Sequence, residues 1–172
     1  MLSVVALIIS GGFAIGGLLT AKNDPDVVTT INVTTGEKIN INKTGWSAYK
    51  FTKNKDYLPA AYSIDGTEKS ELLSSLDKEI LVVDFGTTKG LSINGISISA
   101  ELSDEFMSMD VHVYDENDKK MSIGVSDYDI TTGSSLYTFT TPMCIKKISI
   151  SPKTESDEGT ITIKEVNAYL IK

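Results

Sequence analysis

The chain has 172 residues, a formal charge of −7 and 41% apolar residues, which suits one folded domain with a real core. All 16 basic residues are Lys, and they are interleaved with acids, as at Lys69–Glu71 and Asp118–Lys120, so no cationic stripe is available for nucleic acid. Cys144 is alone, which rules out a disulfide within the chain and leaves stability to the core, a bound ion or assembly with partners.

The first element is hydrophobic. Leu2 to Ala21 carries no charge and ends abruptly at Lys22-Asn23-Asp24-Pro25. As a helix it would span about 30 Å, the thickness of a bilayer core. Three readings fit: a cleaved signal peptide, a retained membrane anchor, or a helix buried in other protein chains. Against the first, only the α-amine supplies positive charge, and cleavage after Ala21 would put Leu19 where a small residue is preferred. For the second, Gly12-Phe13-Ala14-Ile15-Gly16, with Leu18 beyond it, has the small-xxx-small spacing that lets two helices approach. For the third, Leu2-Ser3-Val4-Val5-Ala6-Leu7-Ile8-Ile9 resembles the start of a processed archaeal pilin or archaellin, whose hydrophobic helix forms a fibre core. A virion appendage docked by its N-terminal peptide belongs to the same class. The glycines between Gly11 and Gly17 depart from such helices, each weakening a helix by about 1 kcal/mol relative to Ala.

From Val27 the pattern changes to period two. Thr29–Thr34 and Lys38–Asn42, joined by Thr35-Gly36-Glu37, predict a first hairpin. Further strands are predicted at Ile80–Phe85, Leu91–Ile98, Met109–Tyr114, Met121–Val125, Leu136–Phe139, Ile145–Ile150 and Thr160–Leu170. Turn residues separate them: Gly86 and Gly90, Asp115–Asp118, Gly133-Ser134-Ser135 and Ser156–Gly159. Glu68 to Glu79, with Leu72, Leu73 and Leu76, reads as a short helix or a structured loop. Many short strands with turns between them predict an all-β fold, an antiparallel β-sandwich, preceded by the N-terminal hydrophobic helix. The expected division is a hydrophobic segment over 1–21, a linker and first hairpin over 22–44, and the sandwich domain over 45–172.

The order of segments resembles the discoidin or coagulation-factor type C domain, a galactose-binding-like jelly roll. Ala60-Ala61-Tyr62-Ser63-Ile64-Asp65-Gly66 is similar to that family's early Ala-x-Asp-Gly segment. Ile80-Leu81-Val82-Val83-Asp84-Phe85-Gly86, followed by Leu91–Ile98, resembles its hydrophobic–Asp-Leu-Gly strand and the next. Val111–Asn117 matches the middle strand and acidic turn, and Ile145–Ile150 with Ile163–Tyr169 matches the closing pair. The likeness covers Trp46 to Tyr169. It implies a structural Ca2+ held by the side chains of Asp65, Thr67, Ser70 and Glu165, with carbonyls from Tyr62 and Lys164. Calcium prefers six to eight oxygen ligands and would tie the two ends of a cysteine-poor domain together. The bland alternative is a simple turn at Asp65-Gly66 and an exposed Glu165.

The resemblance also implies a ligand site on loops at one end, usually built from aromatics, His or Arg. The only Trp, Trp46, is expected in the core, and His112, alternating with Val111 and Val113, on the surface of a strand. Tyr57 in Lys55–Pro59 and Tyr128 in Asp127-Tyr128-Asp129 are the candidate aromatics for stacking on a sugar, or else plugs. One His and one Cys leave no transition-metal spacing, and His112 has no nucleophile elbow near it. No glycine-rich phosphate loop precedes a helix, and the acid pairs Asp104-Glu105 and Asp157-Glu158 fall in turns, so an enzyme is not expected. Asn32-Val33-Thr34 and Asn42-Lys43-Thr44 are glycosylation sequons, which in a chain rich in Asn and Thr also arise by chance.

Two functions follow. The first is a non-enzymatic structural subunit of a filament, pilus or virion appendage. Its N-terminus would be buried in copies of itself or other subunits and its sandwich displayed outward. The second is a membrane-anchored extracellular module that binds a glycan or protein. The absence of arginines and the scarcity of aromatics tilt the sequence towards the first.

Overall fold

A computed structural model describes residues 27–28, 37–54, 56–67, 69–103, 108–125, 127–129, 133–154 and 159–172. These form twelve strands in one continuous ladder. In chain order they are β1 (Val27–Val28), β2 (Lys38–Asn40), β3 (Ser47–Phe51), β4 (Tyr57–Pro59), β5 (Glu71–Ser74) and β6 (Ile80–Asp84). There follow β7 (Leu91–Leu102), β8 (Ser108–Asp115), β9 (Lys120–Ile123), β10 (Asp127–Asp129), β11 (Ser134–Lys153) and β12 (Thr160–Ile171). The described helical structure is a single 3-10 turn at Ala61–Ser63. No helix among the described residues is long and apolar enough to cross a membrane.

The long strand β11 joins two halves. Its first part pairs with β10 and β7, and its second part with β6 and β8. One half therefore runs β10–β11–β7–β12, with β2 and β5 both on the far edge of β12. The other runs β4–β3–β6–β11–β8–β9–β1. All pairs are antiparallel except β1 with β9. Register breaks between Thr138 and Met143 and between Ile145 and Lys147 mark where β11 passes from one half to the other. Bulges bend a strand and increase its twist, as such a passage requires.

Period-two alternation sends one face of each half inward. Ile96 and Ile98 from β7, Ile161, Ile163 and Val166 from β12, Leu81 and Val83 from β6, and Ile148 and Ile150 from β11 join one buried cluster. Fully burying a side chain of this size contributes about 1.5–3 kcal/mol, so the cluster can hold a domain that has no disulfide. The loop after β6 needs glycine at position 86. Its φ is +67°, and a Cβ there would lie 2.2 Å from the Gly45 carbonyl oxygen.

Several expectations change. Glu68–Glu79 is not a helix: Glu71–Ser74 is strand β5, paired with β12, and the chain then turns with Lys78 at φ +50°. Glu71 and Leu73 are buried while Leu72 is exposed, an alternation that a helix could not give. The two strands expected at 136–139 and 145–150 are one strand, with β7 pairing from Ser134 to Ile145 across the join. Of the first hairpin, Thr29–Thr34 lies outside the described residues, and Lys38–Asn40 pairs with β12. The expected N-terminal helix, the sequon at Asn32 and the acid pairs at 104–105 and 157–158 also lie outside them. Trp46 is partly buried against the core, its ring centroid 4.4 Å from that of Phe85.

Candidate functional site

Two features stand out at opposite ends of β3. The first is aromatic. Ala48 points into the core, so Tyr49 and Phe51 share the opposite face of β3. The register sets Tyr57 of β4 beside Phe51 and Pro59 beside Tyr49. Three rings meet as a result, with centroid separations of 4.2 Å for Phe51–Tyr57 and 5.4 Å for both Tyr49–Tyr57 and Tyr49–Phe51. Tyr57 was expected in a loop and instead begins a strand. Tyr57 as a whole is 65% exposed, and Leu58 beside it is 44% exposed. Lys50 turns the other way, donating to the Leu72 carbonyl at 2.9 Å.

Polar groups continue across this half of the sandwich. Burial pushes the Tyr49 phenol pKa up, and Asp84, Tyr57 and Tyr114 push it further. Tyr114 and Ser149 bring their hydroxyls to 3.5 Å. His112 lies in register between Ser149 and Ser122 and is half-buried, on the other face of β8 from buried Val111 and Val113, as its alternation predicted. Burial lowers its pKa, Lys120 lowers it further and Asp110 opposes them.

The second feature is ionic, where the loop after the 3-10 turn meets the middle of β12. Asp65 Oδ1 accepts from the Thr67 amide at 2.9 Å and the Thr67 hydroxyl at 2.7 Å, and these bonds hold its carboxyl below the usual carboxylate range. Glu165 Oε2 accepts from the Gly66 amide at 3.0 Å. Glu165 Oε1 is paired with the Lys43 ammonium, which comes from the loop before β3. Burial lowers the Lys43 pKa to about 8, with Asp65 opposing, so at neutral pH it is a cation. The Trp46 ring centroid lies 5.9 Å from Lys43 Nζ. These residues line an open cleft of about 630 Å³ together with Lys164 and Asn167.

The four side chains implied as calcium ligands are therefore only partly gathered. Asp65, Thr67 and Glu165 line the cleft, whereas Ser70 is exposed and does not. Among the described residues, no group of three His, Cys, Asp or Glu side chains converges. The most telling observation is Lys43. A calcium ion needs six to eight oxygens, and here the bridging carboxylate already holds a cation.

Of the other expected residues, Tyr128 belongs to β10, opposite Ser135 at the edge of the other half. Gly12, Phe13, Ile15, Gly16 and Leu18 lie outside the described residues. Sequence reasoning missed Tyr49, Phe51 and Lys43. The first two carried a signal, since Ala48-Tyr49-Lys50-Phe51 alternates as a strand does. Lys43 carried none, because it sits in the sequon Asn42-Lys43-Thr44, which folds as a turn with Asn42 Oδ1 accepting from the Thr44 amide at 2.8 Å.

No protein-family model and no curated protein matches the sequence. Solved structures do match the fold. A family 32 carbohydrate-binding module from Clostridium perfringens, in complex with galactose, aligns at 18% identity and a TM-score of 0.57, over 77% of this chain and 99% of that one. A factor 5/8 type C domain from Bacteroides fragilis aligns at 13% identity and a TM-score of 0.56, over 80% and 99%. A chitosan-binding module of a chitosanase/glucanase from Paenibacillus sp. aligns at 15% identity and a TM-score of 0.54, over 78% and 99%. The order of strands, the mid-chain passage of β11 and these likenesses agree: the chain has the galactose-binding-like jelly-roll fold of discoidin and factor 5/8 type C domains.

Proposed function

We propose that this chain is a non-catalytic carbohydrate-binding module, displayed outside the cell, that takes a glycan on the aromatic face of β3 and β4. The observation that carries this reading is the cluster of Tyr49, Phe51 and Tyr57 with Tyr57 65% exposed. An exposed ring offers its face to the C–H face of a sugar, and nearby Asp84 supplies a partner for a hydroxyl at the rim. Support comes from structures of the same fold described with galactose, with GalNAc-β-1,3-galactose and as chitosan-binding. Tyr128 is the second aromatic candidate, on a separate edge. This reading is preferred to that of a filament or virion subunit, because the similar structures with stated ligands bind sugars. The segment on which assembly would depend, 2–21, lies outside the described residues.

The test is calorimetric titration of the full-length chain with galactose, GalNAc-β-1,3-galactose and chitosan oligosaccharides, repeated with Tyr57→Ala. At least one sugar is expected to bind, and the variant to bind it about tenfold more weakly, equivalent to about 1.4 kcal/mol. A chain that binds none of them, or a variant that binds as well as the parent, would overturn the reading.

A further inference from the structure

The ionic junction at β12 serves a different purpose from the aromatic face, and it stands whether or not the chain binds sugar. Three segments distant in sequence meet at Glu165. They are the loop before β3 through Lys43, the Asp65–Thr67 loop through the Gly66 amide, and β12 itself, which bulges between Ile163 and Glu165. Both carboxylates there have internal partners. Asp65 Oδ1 is taken by Thr67, Glu165 Oε2 by Gly66 and Glu165 Oε1 by Lys43. Asp65 lies near enough to Lys43 for its charge to favour the ammonium. The cation supplied by the chain is thus paired with Glu165, with the charge of Asp65 and the Trp46 ring nearby. A divalent ion entering the same cleft would meet that ammonium as a like charge and would compete with it for Glu165.

We propose that the Lys43 ammonium is a built-in cation that takes the place of a structural divalent ion, tying the loop before β3 and the Asp65 loop to β12. The junction then needs no metal from outside, and calcium should leave the domain's stability unchanged.

The test is the thermal midpoint of the full-length chain in excess Ca2+ and in chelator, for the parent, Lys43→Met and Lys43→Arg. The parent should melt within about 1 °C in the two conditions. Lys43→Met keeps the stem but loses the charge and leaves Glu165 unpaired. It should melt roughly 3–8 °C lower at neutral pH, and Lys43→Arg should recover most of that loss. Calorimetric titration of the parent with CaCl2 alone should show no binding, and this arm needs no variant to fold. A calcium-dependent rise in the parent's midpoint, heat of calcium binding to the parent, or a Lys43→Met chain as stable as the parent would each overturn the proposal.

Discussion

Strand β12 and the β3–β4 edge use the same sheet geometry to opposite ends. β12 lies inside its half of the sandwich, with β7 along one edge and β2 and β5 along the other, and Ile161, Ile163 and Val166 are fully buried. Its C-terminal end is also held by side-chain hydrogen bonds. The Asn94 side chain donates to the Ile171 carbonyl at 2.8 Å and accepts from the Ile171 amide at 2.6 Å, extending the ladder beyond Gly95 and Tyr169. At the β3–β4 edge, three large rings are gathered with Tyr49 and Phe51 partly buried and Tyr57 left open to solvent. Burial of rings of this size would be favourable, so the exposed Tyr57 fits the proposed contact surface, whereas β12 marks where the fold is held.

The contrast is most easily broken at β12. Ile163→Ala removes a fully buried side chain opposite Ala100 and should cost about 3–4 kcal/mol, read by urea denaturation. A loss below about 1 kcal/mol would mean that β12 is not the anchor described. A second effect of similar rank appears only in alkali. Burial pushes the Tyr137 phenol up to about 12, and Ser135 opposes this without completing a good hydrogen bond to the buried hydroxyl. The unfolded phenol ionises near pH 10 while the folded one keeps its proton. The unfolded state therefore binds fewer protons between pH 10 and 12, and stability falls as pH rises through that window. The fall from this group approaches roughly 2–3 kcal/mol, and Tyr137→Phe should remove it while changing stability little at pH 7. Parallel stability profiles of parent and variant above pH 10 would contradict it.

Asn94→Ala comes next, at about 2 kcal/mol, because it strands both backbone groups of Ile171 in a buried position. Amide exchange at the C-terminal end of β12 should speed up more than exchange at Val166. Uniform acceleration along the strand would show that Asn94 is not a local clamp.

Which of these features the sequence revealed follows from their range. Strands such as Ile80–Asp84 and Leu91–Leu102 were legible because alternation is a local consequence of having one buried face. β5 was misread because Leu72, Leu73 and Leu76 imitate a helical face, and only pairing with Ile161 and Ile163 of β12 decides for a strand. β3 was overlooked because Ser47-Ala48-Tyr49-Lys50-Phe51 lacks β-branched residues and owes its state to Leu81–Val83 beside it. At the ionic junction, the resemblance pointed to Asp65 and Glu165, which do approach each other through Gly66. It could not point to Lys43, whose role depends on a loop geometry that no short window encodes.

The smallest expected change in stability belongs to the residue expected to matter most for binding. Tyr57 is 65% exposed and packs against Phe51 and Tyr49, so Tyr57→Ala should cost about 0.5–1 kcal/mol of stability. Phe51→Ala probes the same cluster from a less exposed position and should cost more. If the edge exists for contact, the two variants will rank one way in a urea melt and the other way, or equally, in sugar titration. If the rings only pack together, binding will be untouched by either and stability alone will move. The pair of measurements thus separates a surface kept open for a ligand from a core that the sheet edge failed to cover.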